Sequence, residues 1–325
     1  MQDADPDPAP DPATDPATAA LPPEDMPWPF DTDGFRIGMG LRHLDPADWI
    51  RLDATWPDLL AERRHLLRER GAEVLLAPSG TEVAARDLLH RLASHLPARF
   101  PSLYARDGRM LLNRLTGESL DVSEAPPLET ACLLVPEDLC LLRREAGAWR
   151  LAAGIVCFPN RWRLAEKAGR GLPGIHEPVP GYTERLAIPV DRFFDTLAPG
   201  RGVWRTNWSL NDDPALFQPG ETAHLPADAG ITAATAGDRL LLRVERQTLL
   251  ALPESGAVVF GIRTYQRPLS RLSPAQARQF AAVLRDVPED SARYKGLLRT
   301  REPALAVLDR RAAGEEISPP ASRSG

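Results

Sequence analysis

Arg239-Leu-Leu-Leu-Arg-Val-Glu-Arg-Gln-Thr-Leu-Leu-Ala-Leu252, Pro253-Glu-Ser-Gly256 and Ala257-Val-Val-Phe-Gly-Ile-Arg-Thr-Tyr265 stand in sequence near the end of the chain. Two apolar, β-rich runs flank a short segment holding Pro and Gly, and this pattern predicts a β-hairpin. In the second run Arg263 and Tyr265 alternate against Phe260, Ile262 and Thr264, the period of a strand. Glu245 lies in the middle of the first run. An acid there is exposed or paired, with Arg246 or Arg263 as the partner expected across the strands. After the hairpin, Ser273-Pro-Ala-Gln276 reads as a capping box opening a helix that runs to about residue 285. Two shorter helices, around residues 288–297 and 303–312, then close the chain.

Upstream, residues 203–210 alternate cleanly, with Trp204, Thr206, Trp208 and Leu210 on one side and Val203, Arg205, Asn207 and Ser209 on the other. Three further apolar runs, at residues 130–135, 139–144 and 149–158, read as strands, and Glu145-Ala-Gly-Ala148 as a hairpin loop. Asn160 is placed to cap a short helix ending near Gly169, followed by a Pro/Gly-rich loop over residues 171–182. A helical stretch interrupted by Pro189 comes next, and residues 211–237 read as a long irregular connection. Nearer the start, Asp45-Pro46 opens a short helix, and two longer ones are expected over residues 57–70 and 81–96. Hairpin-joined strands with helices before and after argue for an α+β fold on an antiparallel sheet, and against a doubly wound parallel one.

The chain has 325 residues, of which 43% are hydrophobic and 26% charged, enough for a globular core. Residues 1–27 hold seven acids, no Lys or Arg, and a run of Pro alternating with Asp and Ala. Such a segment buries too little to offset its ordering entropy and reads as a disordered tail. Residues 28–312 are then a single domain, and residues 313–325 a second tail. Leaving out the first 27 residues takes the net charge from −6 to +1, so no basic stripe for nucleic acid is expected. No run of about 20 apolar residues predicts a membrane span, and no basic start with an apolar run predicts a secretory signal. Cys132, Cys140 and Cys157 contain no C-x-x-C pair, which speaks against a sulfur-rich zinc site. The expected location is a reducing compartment, the cytoplasm.

Gly169-Arg-Gly171-Leu-Pro-Gly174 matches the dinucleotide fingerprint only in form. It follows a predicted helix instead of a strand, and Pro173 is expected to break any helix it opens. No Walker A, G-x-S-x-G or H-E-x-x-H motif is present. His90 and His95 sit about 140° apart around a helix and do not share a metal easily.

The informative blocks are LLVPEDLCLL (133–142), GIVCFPNRW (154–162), GIHEPVPGY (174–182), WRTNWSL (204–210), the hairpin continued to Leu269, RYKGLL (293–298) and FRIGMGL (35–41). Together, over residues 28–308, the chain resembles the family of the haem-dependent oxidative N-demethylase α subunit. The resemblance implies a PAS-like antiparallel sheet flanked by helices and holding haem b. It also implies partner subunits, a reductase and a folate-binding subunit, that carry FMN, a [2Fe-2S] cluster and tetrahydrofolate. The activity it implies is oxidation by O2 of a small secondary amine, dimethylamine, with electrons from NADPH.

Under that resemblance a haem iron needs an axial donor, and imidazole is the commonest. His176 is the best placed of six His, in a loop stiffened by Pro178 and Pro180. His95, at a helix edge, and Cys157, in an apolar run, are its rivals, while the plain alternative for His176 is an exposed loop residue. Arg205 and Asn207 face either solvent or a cavity. In a cavity, Arg205 would address iron-bound O2 or a haem propionate, and Arg263 is a second cofactor-binding candidate. Glu137, beside Asp138, is a candidate for the positive charge of the amine, or a solvated turn acid. Tyr182 either orients substrate or packs. The competing function is a haem-based gas or redox sensor of PAS type, since fold alone does not separate sensor from enzyme.

Overall fold

The computed structural model describes residues 21–220 and 230–317. Ten strands are found among them: β1 (Arg42–His43), β2 (Leu75–Leu76), β3 (Tyr104–Asp107), β4 (Met110–Asn113), β5 (Glu118–Asp121), β6 (Asp138–Glu145), β7 (Ala148–Ile155), β8 (Gly202–Asn211), β9 (Leu241–Ala251) and β10 (Val258–Pro268). The helices among them are α1 (Trp56–Val74), α2 (Glu82–Arg99), α3 (Pro127–Leu134), α4 (Leu164–Lys167), α5 (Leu172–Ile175), α6 (Tyr182–Arg185), α7 (Ala187–Thr196), α8 (Ala236–Arg239), α9 (Pro274–Asp286), α10 (Glu289–Tyr294) and α11 (Arg301–Ala312). Seven strands form one antiparallel sheet in the order β1-β8-β9-β10-β6-β7-β2, and β3-β4-β5 form a small second sheet. The fold is α+β. No helix among the described residues is long and apolar enough to cross a membrane.

The β9–β10 hairpin is the spine of the large sheet, with an unbroken register from Leu241 opposite Pro268 to Ala251 opposite Val258. Its turn is fastened to α2, where the Asp87 carboxylate accepts from the backbone N–H of Glu254 and Ser255 and from the Ser255 hydroxyl. Gly261 is needed within β10, because a Cβ there would lie 2.7 Å from Thr248 Oγ1. The capping box at Ser273 is formed from both sides, and α9 follows it.

The two faces of this sheet are covered differently. On one, Leu139, Leu141, Ala153, Ile155 and Val259 pack against α1, α2 and α3, while Trp208, Leu210, Leu242, Val244 and Tyr265 pack against α9, α10 and α11. We call this the helix face. On the other, Cys140, Leu142, Leu151, Ala251, Val258 and Phe260 meet Leu164, Leu172, Ile175 and Phe194 from the short helices α4 to α7. Those helices all fall in the single connection between β7 and β8, so we call this the crossover face.

Several expectations are corrected. Residues 130–134 are helical in α3, which Pro127 opens, and Val135 is its extended cap. A short apolar run does not reveal its period, and this helix is buried nearly all round. Asn160 caps no helix; α4 starts after Arg163, and Asn160 Nδ2 donates to Ser209 Oγ at 2.8 Å. Pro173 sits in the first turn of α5 without breaking it, since a first-turn proline has no intrahelical N–H to lose. Pro189 likewise lies in the first turn of α7, and the break falls at Leu186, between α6 and α7. The second sheet has short strands of four residues that left no clear alternation to read. Of the N-terminal tail, residues 1–20 lie outside the described residues; Leu21 packs on the core, and Met26 is buried beside Phe30 and Trp208. Of the C-terminal tail, residues 318–325 lie outside them, and Ile317 packs on the second core cluster.

Candidate functional site

His176 is the C-terminal cap residue of α5. Its backbone N–H donates to the Leu172 carbonyl at 3.2 Å, and its ring Nδ1 meets the same oxygen at 2.8 Å. A carbonyl only accepts, so Nδ1 carries the proton and the lone pair of the neutral ring is on Nε2. Lys167 Nζ donates to the next carbonyl, that of Ile175, at 2.9 Å. The ring stacks on Tyr182, with centroids 4.4 Å apart and planes 10° from parallel. Burial pushes the imidazole pKa below its ordinary value; the Leu172 carbonyl opposes this, and the charges of Arg205 and Lys167 add to it. The loop therefore presents a neutral imidazole fixed in one tautomer, which is the form that ligates a metal.

Arg205 and Asn207 stand opposite Gln247 and Glu245 in the β8–β9 register. Gln247 stands opposite Ile262 in turn, and Leu249 opposite Phe260, so all of these side chains point to the crossover face. Glu245 Oε2 accepts from Asn207 Nδ2 at 3.3 Å and from Gln247 Nε2 at 2.9 Å. Burial pushes the Arg205 guanidinium pKa down, against the opposing pull of Glu245 and Tyr294. The buried atoms Arg205 Nε, Tyr182 Oη, Thr264 Oγ1 and Gln266 Nε2 have no hydrogen-bond partner among the described residues. Such atoms can be met by a polar ligand or by water; the helix face holds them as well, at Glu137 Oε2, Arg246 Nε, Thr248 Oγ1 and Arg263 Nε. β1 pairs only with Val203 and Trp204 of β8, which leaves the edge further along free for Lys295. Its Nζ donates to the Trp208 carbonyl at 2.8 Å and lies 4.5 Å from the centre of the Trp208 ring. Burial pushes this ammonium down to about 8, Arg205 adding to the shift and Glu245 opposing it.

Residues 40–305 match the family model of the haem-dependent oxidative N-demethylase, alpha subunit-like proteins. The chain belongs to this family.

Within this N-demethylase-like chain the expected site residues divide between the two faces. His176, Tyr182, Arg205 and Asn207 belong to the crossover side. Glu137 and Arg263 take the helix face instead. Arg263 Nη2 donates to Asp53 Oδ2 and to Thr55 Oγ1, both at 2.8 Å. Glu137 is fully buried and accepts the Arg51 backbone N–H at 3.1 Å; burial raises its pKa, and Arg263 and Arg246 oppose the rise. It is therefore no solvated turn acid. The pairing expected for Glu245 is also corrected: Arg246 and Arg263 stand opposite each other on the helix face, while Glu245 points away from both, because successive strand residues alternate.

The two rivals of His176 sit elsewhere. His95 lies edge-on to Trp49 and Phe100, and burial with Arg91 and Arg99 pushes its pKa down to about 4. Cys157 is buried against Cys132 in the cluster under α1 to α3. Sequence reasoning missed Gln247 on the crossover face and Lys295 at the β8 edge, and read Glu245 as a paired structural acid. The strand period puts Gln247 on the same side of β9 as Glu245 and is the signal that would have joined them; that this side is shared with Asn207 is set by the β8–β9 register. Two cavities, of about 520 and 510 Å³, are lined by Arg161, Asp212 and Arg299 and by His65, Arg70 and Phe217. Neither is lined by His176.

Proposed function

We propose that this chain is the haem-carrying subunit of an oxidative N-demethylase, acting on a small secondary amine such as dimethylamine with O2 and with electrons from a partner reductase. The observation that carries the proposal is the His176 ring, neutral and committed through Nδ1 to the Leu172 carbonyl, in a chain of this family. Its Nε2 is the donor we assign to the iron of haem b. The PAS-like reading is supported by a sheet whose short helices all enter between β7 and β8, with His176 among them.

Bound there, haem supplies the oxygen chemistry that oxidises a methyl group of the amine, whose iminium product hydrolyses to formaldehyde. The protein's own residues bind and orient. Arg205 places a half-buried guanidinium on the crossover face, suited to a propionate. Tyr182 stacks on the ring of His176 and holds it against rotation. The positive charge of the amine is assigned to Glu245, whose Oε2 is fixed by Asn207 and Gln247, in place of Glu137. FMN, the [2Fe-2S] cluster and tetrahydrofolate are assigned to partner subunits, the folate to capture formaldehyde.

The test is the absorption spectrum of the purified protein loaded with haem. A Soret band is expected, with a shift on adding dimethylamine. His176→Ala is expected to lose most bound haem while circular dichroism is unchanged, and free imidazole to restore part of the band. His95→Ala is expected to keep the wild-type spectrum. A wild-type Soret band in the His176 variant would overturn the ligand assignment. A haem spectrum that responds to O2 but to no amine would favour a sensor.

A further inference from the structure

Beneath the helix face, and separate from His176, two cysteines are in contact. Cys132 lies on α3 and Cys157 two residues past the end of β7, both fully buried. Their sulfurs are 3.7 Å apart. Arg63 of α1 reaches them from the side: its Nη1 donates to Cys132 Sγ at 3.2 Å, and its Nη2 contacts Asp138 Oδ1 at 3.0 Å. The Asp138 carboxylate in turn accepts the backbone N–H of Cys157 at 2.8 Å and of Phe158 at 2.9 Å. Both sulfurs are thus held at contact distance by elements anchored on one ion pair.

The arrangement also sorts the two thiols. Cys132 lies against the Cys157 sulfur and accepts from Arg63, and these two neighbours lower its pKa against the effect of burial. Cys157, whose sulfur meets that of Cys132, is raised by that contact and by burial. A guanidinium donating to the thiol stabilises the thiolate and stands where a metal cation would be repelled. Cys140 is the internal contrast: it points to the crossover face beside Phe260, has neither of these neighbours, and burial raises its thiol.

We propose that Cys132 and Cys157 are a redox pair, a dithiol that a hydroperoxide converts to an internal disulfide. The Cys132 thiolate attacks one peroxide oxygen. The O–O bond breaks, a sulfenic acid forms on Cys132, and the departing hydroxide takes up a proton to leave as water. The Cys157 sulfur then attacks the Cys132 sulfur, the S–O bond breaks, and the second oxygen leaves as water with the thiol proton. Two electrons pass from the sulfurs to the peroxide, and two thiols and one hydrogen peroxide give one disulfide and two waters. Closure brings the sulfurs to about 2.05 Å.

The test uses the full-length reduced protein, folded, treated with hydrogen peroxide, quenched in acid and alkylated after denaturation. Two of the three thiols should be lost together, the intact mass falling by two hydrogens, with a peptide linking residues 132 and 157 and with Cys140 still free. In Cys157→Ser, Cys132 should stop at a sulfenic acid that dimedone traps; in Cys132→Ser, Cys157 should stay reduced. The wild-type result does not depend on whether these variants fold. Three free thiols after peroxide, oxidation of Cys140 alone, or a 132–157 link that forms only in denaturant would each overturn the proposal.

Discussion

Arg63 is fully buried and ties α1 to the start of β6. It meets the Asp138 carboxylate and the Cys132 thiol, donates to the Pro136 carbonyl, and lies over the ring of Phe158 at 4.5 Å. Removing one member of a buried ion pair leaves the other charge uncompensated. Arg63→Leu is therefore expected to lower stability by about 3–5 kcal/mol in urea unfolding; a loss near zero would mean that Asp138 is neutral in the fold. His95 makes a separate prediction. Its pKa in the folded protein is about 4 against an ordinary 6.5, so between these values the folded state binds fewer protons than the unfolded one. Stability is then full above about pH 6.5 and is lost as the pH falls toward 4. His95→Phe keeps a ring beside Trp49 and should flatten that part of the curve of melting temperature against pH. His176 is shifted in the same direction, so some slope should remain. An unchanged slope in the variant would remove His95 as its source.

At the scale of elements, β8 shows how one alternating strand serves two unlike surroundings. Its tryptophans share a face, as the alternation predicts, but not an environment. Trp208 is buried, edge-on to Phe30 and Phe280. Trp204 is half-buried beneath the guanidinium groups of Arg42 and Arg246, 5.0 and 5.3 Å from the ring centre. Trp208→Ala is expected to lower stability by about 3–5 kcal/mol, and Trp204→Ala by distinctly less, when chemical denaturation of the two variants is compared. Equal losses would show that the Arg42 side chain excludes water from Trp204 as well as the aromatic cluster does from Trp208.

For the whole molecule, the boundary of the ordered body is testable by truncation. The Ala54 backbone N–H donates to the Pro22 carbonyl at 2.8 Å, and Met26 is 6% exposed. Deleting residues 1–20 is expected to leave the melting temperature unchanged, in line with their Pro/Asp/Ala composition. Extending the deletion through residue 27 removes Met26 from the cluster around Phe30 and Trp208, and is expected to lower stability by about 2–5 kcal/mol, the range for emptying a buried Met site. Two identical melting curves would show that residues 21–27 add nothing to the fold.

What the sequence by itself determined was local. The β9–β10 hairpin, the β8 alternation, the capping box at Ser273 and the α1 and α2 stripes were all legible, because turn residues and periods of 2 or 3.6 are encoded within a few neighbouring positions. The family was legible as well, from blocks spread along the chain. Tertiary structure alone decided that residues 130–134 coil into α3, since an apolar run with no polar side has no period to read. It also decided which side of each strand meets which helices. Alternation separates Arg205 from Trp204 and Arg263 from Thr264, yet says nothing of what covers either side. That depends on the crossover helices packing on one face and on helices from both ends of the described chain packing on the other. His176 and Arg205 are therefore on the crossover side with Glu245, and Arg263 and Glu137 are buried with Asp53 and Arg51 on the opposite side of the same sheet.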